Sequence, residues 1–357
     1  MTYTDYPLKM RLSSFILACS VSLCALAQTQ VSEFNPGVVA DGVNYALPRT
    51  CIVADVSAVK IVYTPGEFAK YADRYLHIGG VGQEAATTWS VTDVKVHQEG
   101  MPDSTKYYTI KLKDKTIAPM ATLTENGIIA AINQQIELDE CLLPNSVSTH
   151  NRLDAKQYLT EDILSATNIA KMAELTAQEI LDVRESKNAI KRGQVESMPK
   201  DGASLKIVLD ELDMQERALT QMFVGYTDTT TCYQSYSMCP DADVAEQVLF
   251  RFSRKLGFLA ADNLAGDPYY VTIKDLHSVP KPTAAEAAKR KIQGVVYNMP
   301  GMGKVTVSTM DRTVYERDLP FAQFGTIDVL NPTLFNKGAT TKVTYNTATG
   351  GIMKIEQ

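Results

Sequence analysis

From about Leu159 to Phe223 the sequence has no strand character, whereas on either side of it short β-branched runs alternate with turn formers. This one interruption excludes the regular strand-helix alternation that a doubly wound parallel sheet needs. From about Leu159 to Arg192 the pattern is helical, with Ile169, Ala173, Ile180, Val183 and Ile190 on one side and Gly193 as its stop. A Thr176-x-x-Glu179 match to a capping box falls inside this continuing pattern and reads as incidental. Asp201 is placed to cap a second helix from Gly202 to about Phe223. Its stripe is Leu205, Val208, Leu212, Leu219, Met222 and Phe223, with Asp210, Glu211, Asp213 and Arg217 toward water. The two helices predict a helical hairpin.

Before the helices, Ile52 to Tyr63, Trp89 to His97 and Tyr107 to Leu112 read as strands. Met101, Pro102, Asp103 and Ser104 predict a turn that folds the last two into a hairpin. Residues 65–76 read as one short helix with Phe68, Tyr71, Ala72 and Tyr75 on one face, and Glu125-Asn126-Gly127 as a turn between two strand pieces. After the helices, Val248 to Arg254, Tyr269 to Lys274, Gly294 to Asn298, Lys304 to Thr309, Thr313 to Leu319, Gly325 to Leu330 and Lys342 to Asn346 read as strands. A short helix is expected from about Lys281 to Ile292, and a turn at Asn346 to Gly351 before a last strand. The expected fold is α+β. A β-rich part at 28–155 and a sandwich-like β-rich part at 225–357 flank a two-helix region at 156–224.

Residues 1–27 have the form of a secretory signal. Lys9 and Arg11 precede an apolar stretch too short to span a membrane, and Ala25-Leu26-Ala27 offers the cleavage site. Acylation at Cys19, giving a lipoprotein, is the rival reading. The expected location is the periplasm or the exterior, with no transmembrane span in the mature chain. Losing Lys9, Arg11 and Asp5 with the leader leaves 33 basic and 40 acidic side chains, a net charge of −7 that gives no reason to expect a nucleic-acid partner. Cys51, Cys141, Cys232 and Cys239 then remain, and an oxidising compartment permits disulfides. Cys232 and Cys239 enclose six residues and are close enough to pair, which would leave Cys51 with Cys141; four buried thiols are the alternative.

No motif for chemistry survives its structural requirement. His77, His97, His150 and His277 stand apart and outside any zinc spacing, so no metal is assigned. Gly80-x-Gly82-x-x-Ala85 follows a helix instead of a strand, so no dinucleotide or other cofactor is expected there. Ser57-x-x-Lys60 lies in a strand pattern, where residues three apart point to opposite faces, and Ser197-x-x-Lys200 lies in a loop that contains Pro199. Asp139-Glu140, Glu161-Asp162, Asp210-Glu211 and Asp213 are acidic candidates without a known separation. No catalytic residue is named, and the balance leans away from an enzyme. Tyr226, Tyr233 and Tyr236 form a candidate surface for stacking on a sugar or receiving a partner strand, with filling of a sheet face as the other reading.

Several segments together are more specific: residues 65–76 and 121–133, Glu179 to Ser186, Met198 to Gly202, Leu209 to Glu216, and Phe321 to Gly325. They resemble a family of secreted Bacteroidetes proteins catalogued only as a domain of unknown function. The resemblance spans essentially the whole mature chain and implies envelope export, with no site residues to carry over. The expected role is non-catalytic, binding or structural, with an envelope protein or a glycan as partner. The alternative is an extracellular hydrolase of glycan or peptide whose carboxylates are assembled by the fold.

Overall fold

The β-branched runs join into strands far longer than the turn signals inside them suggest. A computed structural model describes residues 30–33, 42–111, 121–138, 144–195, 201–283, 294–335 and 341–357. In chain order the first half holds β1 (Gln30–Glu33), β2 (Val43–Thr64), α1 (Ala72–Leu76), β3 (Ala86–Lys111), β4 (Ala121–Leu123), β5 (Ile129–Ile132) and β6 (Val147–Thr149). The helices α2 (Glu161–Leu164), α3 (Ile169–Lys191) and α4 (Gly202–Val224) follow. The chain then returns to β7 (Tyr226–Met238), β8 (Val244–Ser253), β9 (Gly257–Leu259), β10 (Asp267–Asp275), β11 (Val295–Ser308), β12 (Thr313–Leu330), β13 (Lys342–Tyr345) and β14 (Ile352–Glu356). This is the expected α+β composition. The leader, Cys19, Cys141, the Asp139-Glu140 pair, Ser197 and Lys200 lie outside the described residues, as does most of the helix expected at 281–292.

Among the described residues the strands form three antiparallel sheets, ordered β1-β3-β2-β7-β6, β12-β11-β10-β8-β9 and β14-β13-β5-β4. Strands from before and after the helices are interleaved, since β7 pairs with β2 and β13 with β5. The hairpin expected at Met101 to Ser104 does not form. Asp103 Oδ1 accepts from Thr105 N and Thr105 Oγ1, but the local turn is absorbed as a bulge, and β3 continues. Pro102 pairs with Pro48 and Tyr107 with Ala46, so residues 103–106 stand opposite Leu47 alone. The strand that β3 folds back on is β2, across a connection containing α1. The expected breaks between 298 and 304 and between 319 and 325 are likewise absorbed: Met299 pairs with Thr326 and Gly301 with Phe321, leaving residues 322–325 opposite Pro300.

The two long ribbons, β2–β3 and β11–β12, each serve two cores. Tyr45 and Leu47 of β2 pack with Ile129, Val296, Val343 and Tyr345 in a first core. Ile52, Val56 and Ala58 of the same strand pack with Phe250, Val271, Val305 and Phe321 in a second. In β2 the first core takes positions 45 and 47 and the second takes 52, 56 and 58, so this strand turns opposite faces to the two. The β3 bulge falls between the cores, and the β12 bulge carries Phe324 into the second.

A third core joins Phe68 and Ala72 to Ala173, Ala177, Ile180, Leu219 and Phe223. Asn168 Oδ1 caps α3 by accepting from Lys171 N, and Asp201 Oδ1 caps α4 by accepting from Ser204 N, as its position predicts. Thr176 is buried inside α3 and donates to Met172 O, so its capping-box match is incidental. Gly225 ends α4 at φ +76°, where a Cβ would lie 2.2 Å from Thr64 O. Val208 is 38% exposed while the adjacent Leu209 is half-buried, which moves that part of the α4 stripe by one residue. Among the described residues, no helix is long and apolar enough to cross a membrane.

Charge ties the two long helices. Lys187 Nζ lies 2.6 Å from Glu216 Oε2 and also contacts Asp213, and Arg184 Nε donates to Glu216 Oε1 at 2.6 Å. Burial pushes the Glu216 carboxyl up, but Lys187 and Arg184 outweigh it and hold the group below its ordinary range. The Lys187 hydrogen bond lowers Asp213 as well. Depressed carboxylates contribute stability above their unfolded values, and that contribution is lost as pH falls through the folded ones. Acidification below about pH 4 is therefore expected to loosen the hairpin first. Circular dichroism melts of the helices should then precede the fluorescence transition of Trp89, the sole tryptophan, packed in the second core. Coincident transitions at pH 3 and pH 7 would contradict this.

Candidate functional site

Where the ribbons pass from one core to the other, backbone groups lose strand partners, and side chains take their place. The Tyr45 hydroxyl accepts from Val296 N at 3.0 Å and donates to Val296 O at 3.1 Å, standing in for a neighbouring strand along β11. Burial holds that phenol well above its ordinary pKa, so it stays a donor. Two residues on, Asn298 N donates to Gly350 O. The loop that brings Gly350 there is the turn expected at Asn346 to Gly351. Asn346 Oδ1 accepts from Ala348 N and Thr349 N, and Asn346 N donates to Gly351 O. Gly350 sits at φ +72°, and a Cβ would meet Asn298 Nδ2 and Pro48 Cδ at 2.7 and 2.8 Å.

This arrangement leaves an open cleft of about 410 Å³, lined by Val279, Tyr297, Asn298, Met299, Pro300, Asn346, Thr349, Gly351, Ile352 and Met353. Its walls are apolar side chains and its polar groups are amides, hydroxyls and backbone; among the described residues that line it there is no carboxylate, amine, imidazole or thiol. Tyr297 donates to Asp328 Oδ2 at 3.1 Å, and burial together with that carboxylate raises its pKa, so the phenol is neutral near pH 7. Asn298 is 1% exposed, with Nδ2 donating to Pro48 O and Thr349 O, while Oδ1 has no partner among the described residues. Met299 and Met353 are 39% and 66% exposed at the rim.

The sequence-marked tyrosines do not converge. Tyr236 stacks on Phe250 at 4.5 Å between ring centroids, and burial pushes its phenol up to about 12. Tyr233, three residues away on β7, points to the opposite face, and Tyr226 pairs with Thr64 at the far end of the strand. The expected Cys232–Cys239 pairing is also corrected. Cys239 is bonded to Cys51, and among the described residues Cys232 is a free thiol. Seven residues of extended strand separate Cys232 from Cys239 by about 23 Å, whereas β7 carries Cys239 past the end of its ladder to Cys51 on β2. The companion Cys51–Cys141 pairing falls with it, and so does the reading of four free thiols.

The other candidates are structural. Glu211 accepts from Tyr158, Asp213 pairs with Lys187, and Glu161 and Asp162 open α2. Lys60 lies over the Trp89 ring and, three residues along a strand from Ser57, faces away from it. The loop at Gly80 to Ala85 holds Gly82 O as acceptor for Tyr63, beside no helix N-terminus. His97 Nδ1, His150 Nδ1 and His277 Nδ1 lie 3.2, 3.5 and 3.2 Å from Asp55, Asp228 and Asp275. Sequence reasoning missed one cluster, in which Asp55 also accepts from Ser235. It comes from three neighbouring strands, so no local spacing marks it. The carboxylate lies between serine and imidazole, so the hydroxyl donates to Asp55 and not to His97, and the serine-imidazole-carboxylate order of a triad is not met. Among the described residues, no three metal-ligating side chains converge.

A family model described as a domain of unknown function, DUF4831, matches residues 41–353. No curated protein and no solved structure matches the chain.

Proposed function

We propose, from the premise that the chain belongs to the DUF4831 family, that it is an exported component of a Bacteroidetes cell envelope. It acts there without catalysis, by holding an apolar, extended segment of a partner protein in the cleft between β11 and β14. The observation that carries this reading is the cleft wall: Met299, Met353, Ile352, Val279, Tyr297 and Pro300 surround it, with no group suited to acid-base or nucleophilic work. Methionines adapt to varied apolar side chains, and the amide and hydroxyl groups of Asn346 and Thr349 suit a peptide backbone. Export is supported by the leader-like first 27 residues and by the Cys51–Cys239 disulfide, which needs an oxidising compartment.

Calorimetric titration with extended peptides carrying alternate Leu or Phe side chains tests the reading. Binding is expected, and Met299→Glu with Met353→Glu should weaken it by about tenfold or more, because carboxylates would be buried without partners. Equal binding by the variant, or release of products from peptide or cell-wall glycan, would overturn it.

A further inference from the structure

Strand edges that remain open invite pairing, and natural sheets blunt them. Here β4, β6 and β9 are three residues long, and the edge strand β12 carries Glu316-Arg317-Asp318 and Pro320. The edge strand β1 spans four residues; the edge strand β14 spans five and has Met353 as an extra residue at a register shift between Ile352 and Lys354, but from Lys354 on its ladder is regular. It pairs with β13 through Lys342–Glu356, Val343–Ile355 and Thr344–Lys354, and among the described residues no strand covers its other side. Met353 and Ile355 are 66% and 44% exposed on one face, and Lys354 and Glu356 form an exposed ion pair on the other. Ile355 is paired with Val343, which is fully buried in the first core, so the apolar face of β14 continues that core to the open edge.

We infer that β14 is a self-complementary docking edge whose occupant is the β14 of a second copy of this chain. An antiparallel pairing with its two-fold axis at Ile355 sets Lys354 opposite Glu356 of the partner and Glu356 opposite the partner's Lys354. Ile355 meets its own counterpart, and Met353 flanks it on the same face. One face thus gathers four apolar side chains, and the other exchanges two intrachain ion pairs for two between chains. A shift by one residue in either direction puts like charges or mixed faces opposite each other, so the charge pattern selects this register. The pairing extends the β14-β13-β5-β4 sheet across the axis. A five-residue edge falls below the area of a permanent interface, so the dimer is weak and reversible.

Sedimentation of the exported chain from micromolar to submillimolar concentration should show a reversible monomer-dimer equilibrium. Lys354→Glu and Glu356→Lys alone should each weaken it about tenfold, since each places like charges opposite one another twice. The double variant K354E/E356K restores both pairs and should return the affinity to within about threefold of the parent. The three residues substituted, Lys354, Ile355 and Glu356, lie on the edge strand, so a melting curve for each variant verifies its fold. Ile355→Cys should form an interchain disulfide under mild oxidation beyond the level of the parent chain. A monomer at every concentration, singles that dimerise like the parent, a double that does not recover, or no added crosslink would overturn the inference. Met353 borders both surfaces, so the two readings are separated by Met299, which lines the cleft from β11 and lies off the β14 edge, and by measuring the dimer without peptide.

Discussion

Replacing Cys51 and Cys239 together with alanine is expected to lower the unfolding free energy by roughly 4 kcal/mol. The two residues are separated by 188 positions, and chain-entropy arguments put the ceiling for a loop of that size at about 5 kcal/mol. The bond fixes the centre of β2 to the end of β7, across the inserted helices, so it restrains a large share of the unfolded chain. Cys232→Ala, which removes only a half-buried free thiol, should change stability by about 1 kcal/mol or less. Urea unfolding followed through Trp89 fluorescence measures both. A double variant as stable as the parent, or a Cys232 variant that matches its loss, would contradict the assigned pairing.

Gln323→Ala should cost roughly 3–5 kcal/mol, although the residue lies on no catalytic path and fills little of either core. Its Oε1 accepts from Thr50 N at 3.0 Å, and its Nε2 donates to Thr50 O at 2.8 Å and Pro240 O at 3.0 Å. Thr50 is fully buried, and its hydroxyl donates to Ala348 O and accepts from Ala322 N. The knot lies where β12 bulges opposite Pro300, beside Thr50, which pairs with Gly100 two residues past the irregularity of the β2–β3 ladder at Pro48. Truncation leaves three backbone groups without partners, each costing about 1–3 kcal/mol when buried. Gln323→Glu keeps the acceptor and loses the donors, so its loss should be substantial and should ease as pH falls. A Gln323→Ala variant within about 1 kcal/mol of the parent would mean that water replaces the side chain freely.

What was legible in the sequence is what local chemistry decides. Asp201 caps α4 because its side chain reaches an amide three residues away, and Gly127 turns β4 into β5 because its φ of +78° suits glycine. The Asn346 loop forms for the same reason. The errors lie where a local signal has two structural meanings. Asp103 makes the same hydrogen bonds in a bulge as it would in a hairpin turn, and only the partner strand, some fifty residues earlier, decides between them. Tyr233 and Tyr236 look like neighbours in sequence, yet a strand sends residues three apart to opposite faces. The disulfide and the Tyr45–Val296 bridge join positions 188 and 251 residues apart, separations for which a single sequence carries no register. The cleft was illegible for the same reason. Its walls come from three distant segments, and none of its residues belongs to a catalytic motif.

Methionine ε-methyl spectra of the chain, labelled with carbon-13 and titrated with the alternating apolar peptides, bear most directly on the central claim. The signals of Met299 and Met353 should move together and saturate, while those of Met101 and Met310, exposed elsewhere, stay fixed. Shifts confined to Met101 or Met310, or an unchanged spectrum while the peptide is cut, would contradict an apolar cleft that binds without chemistry.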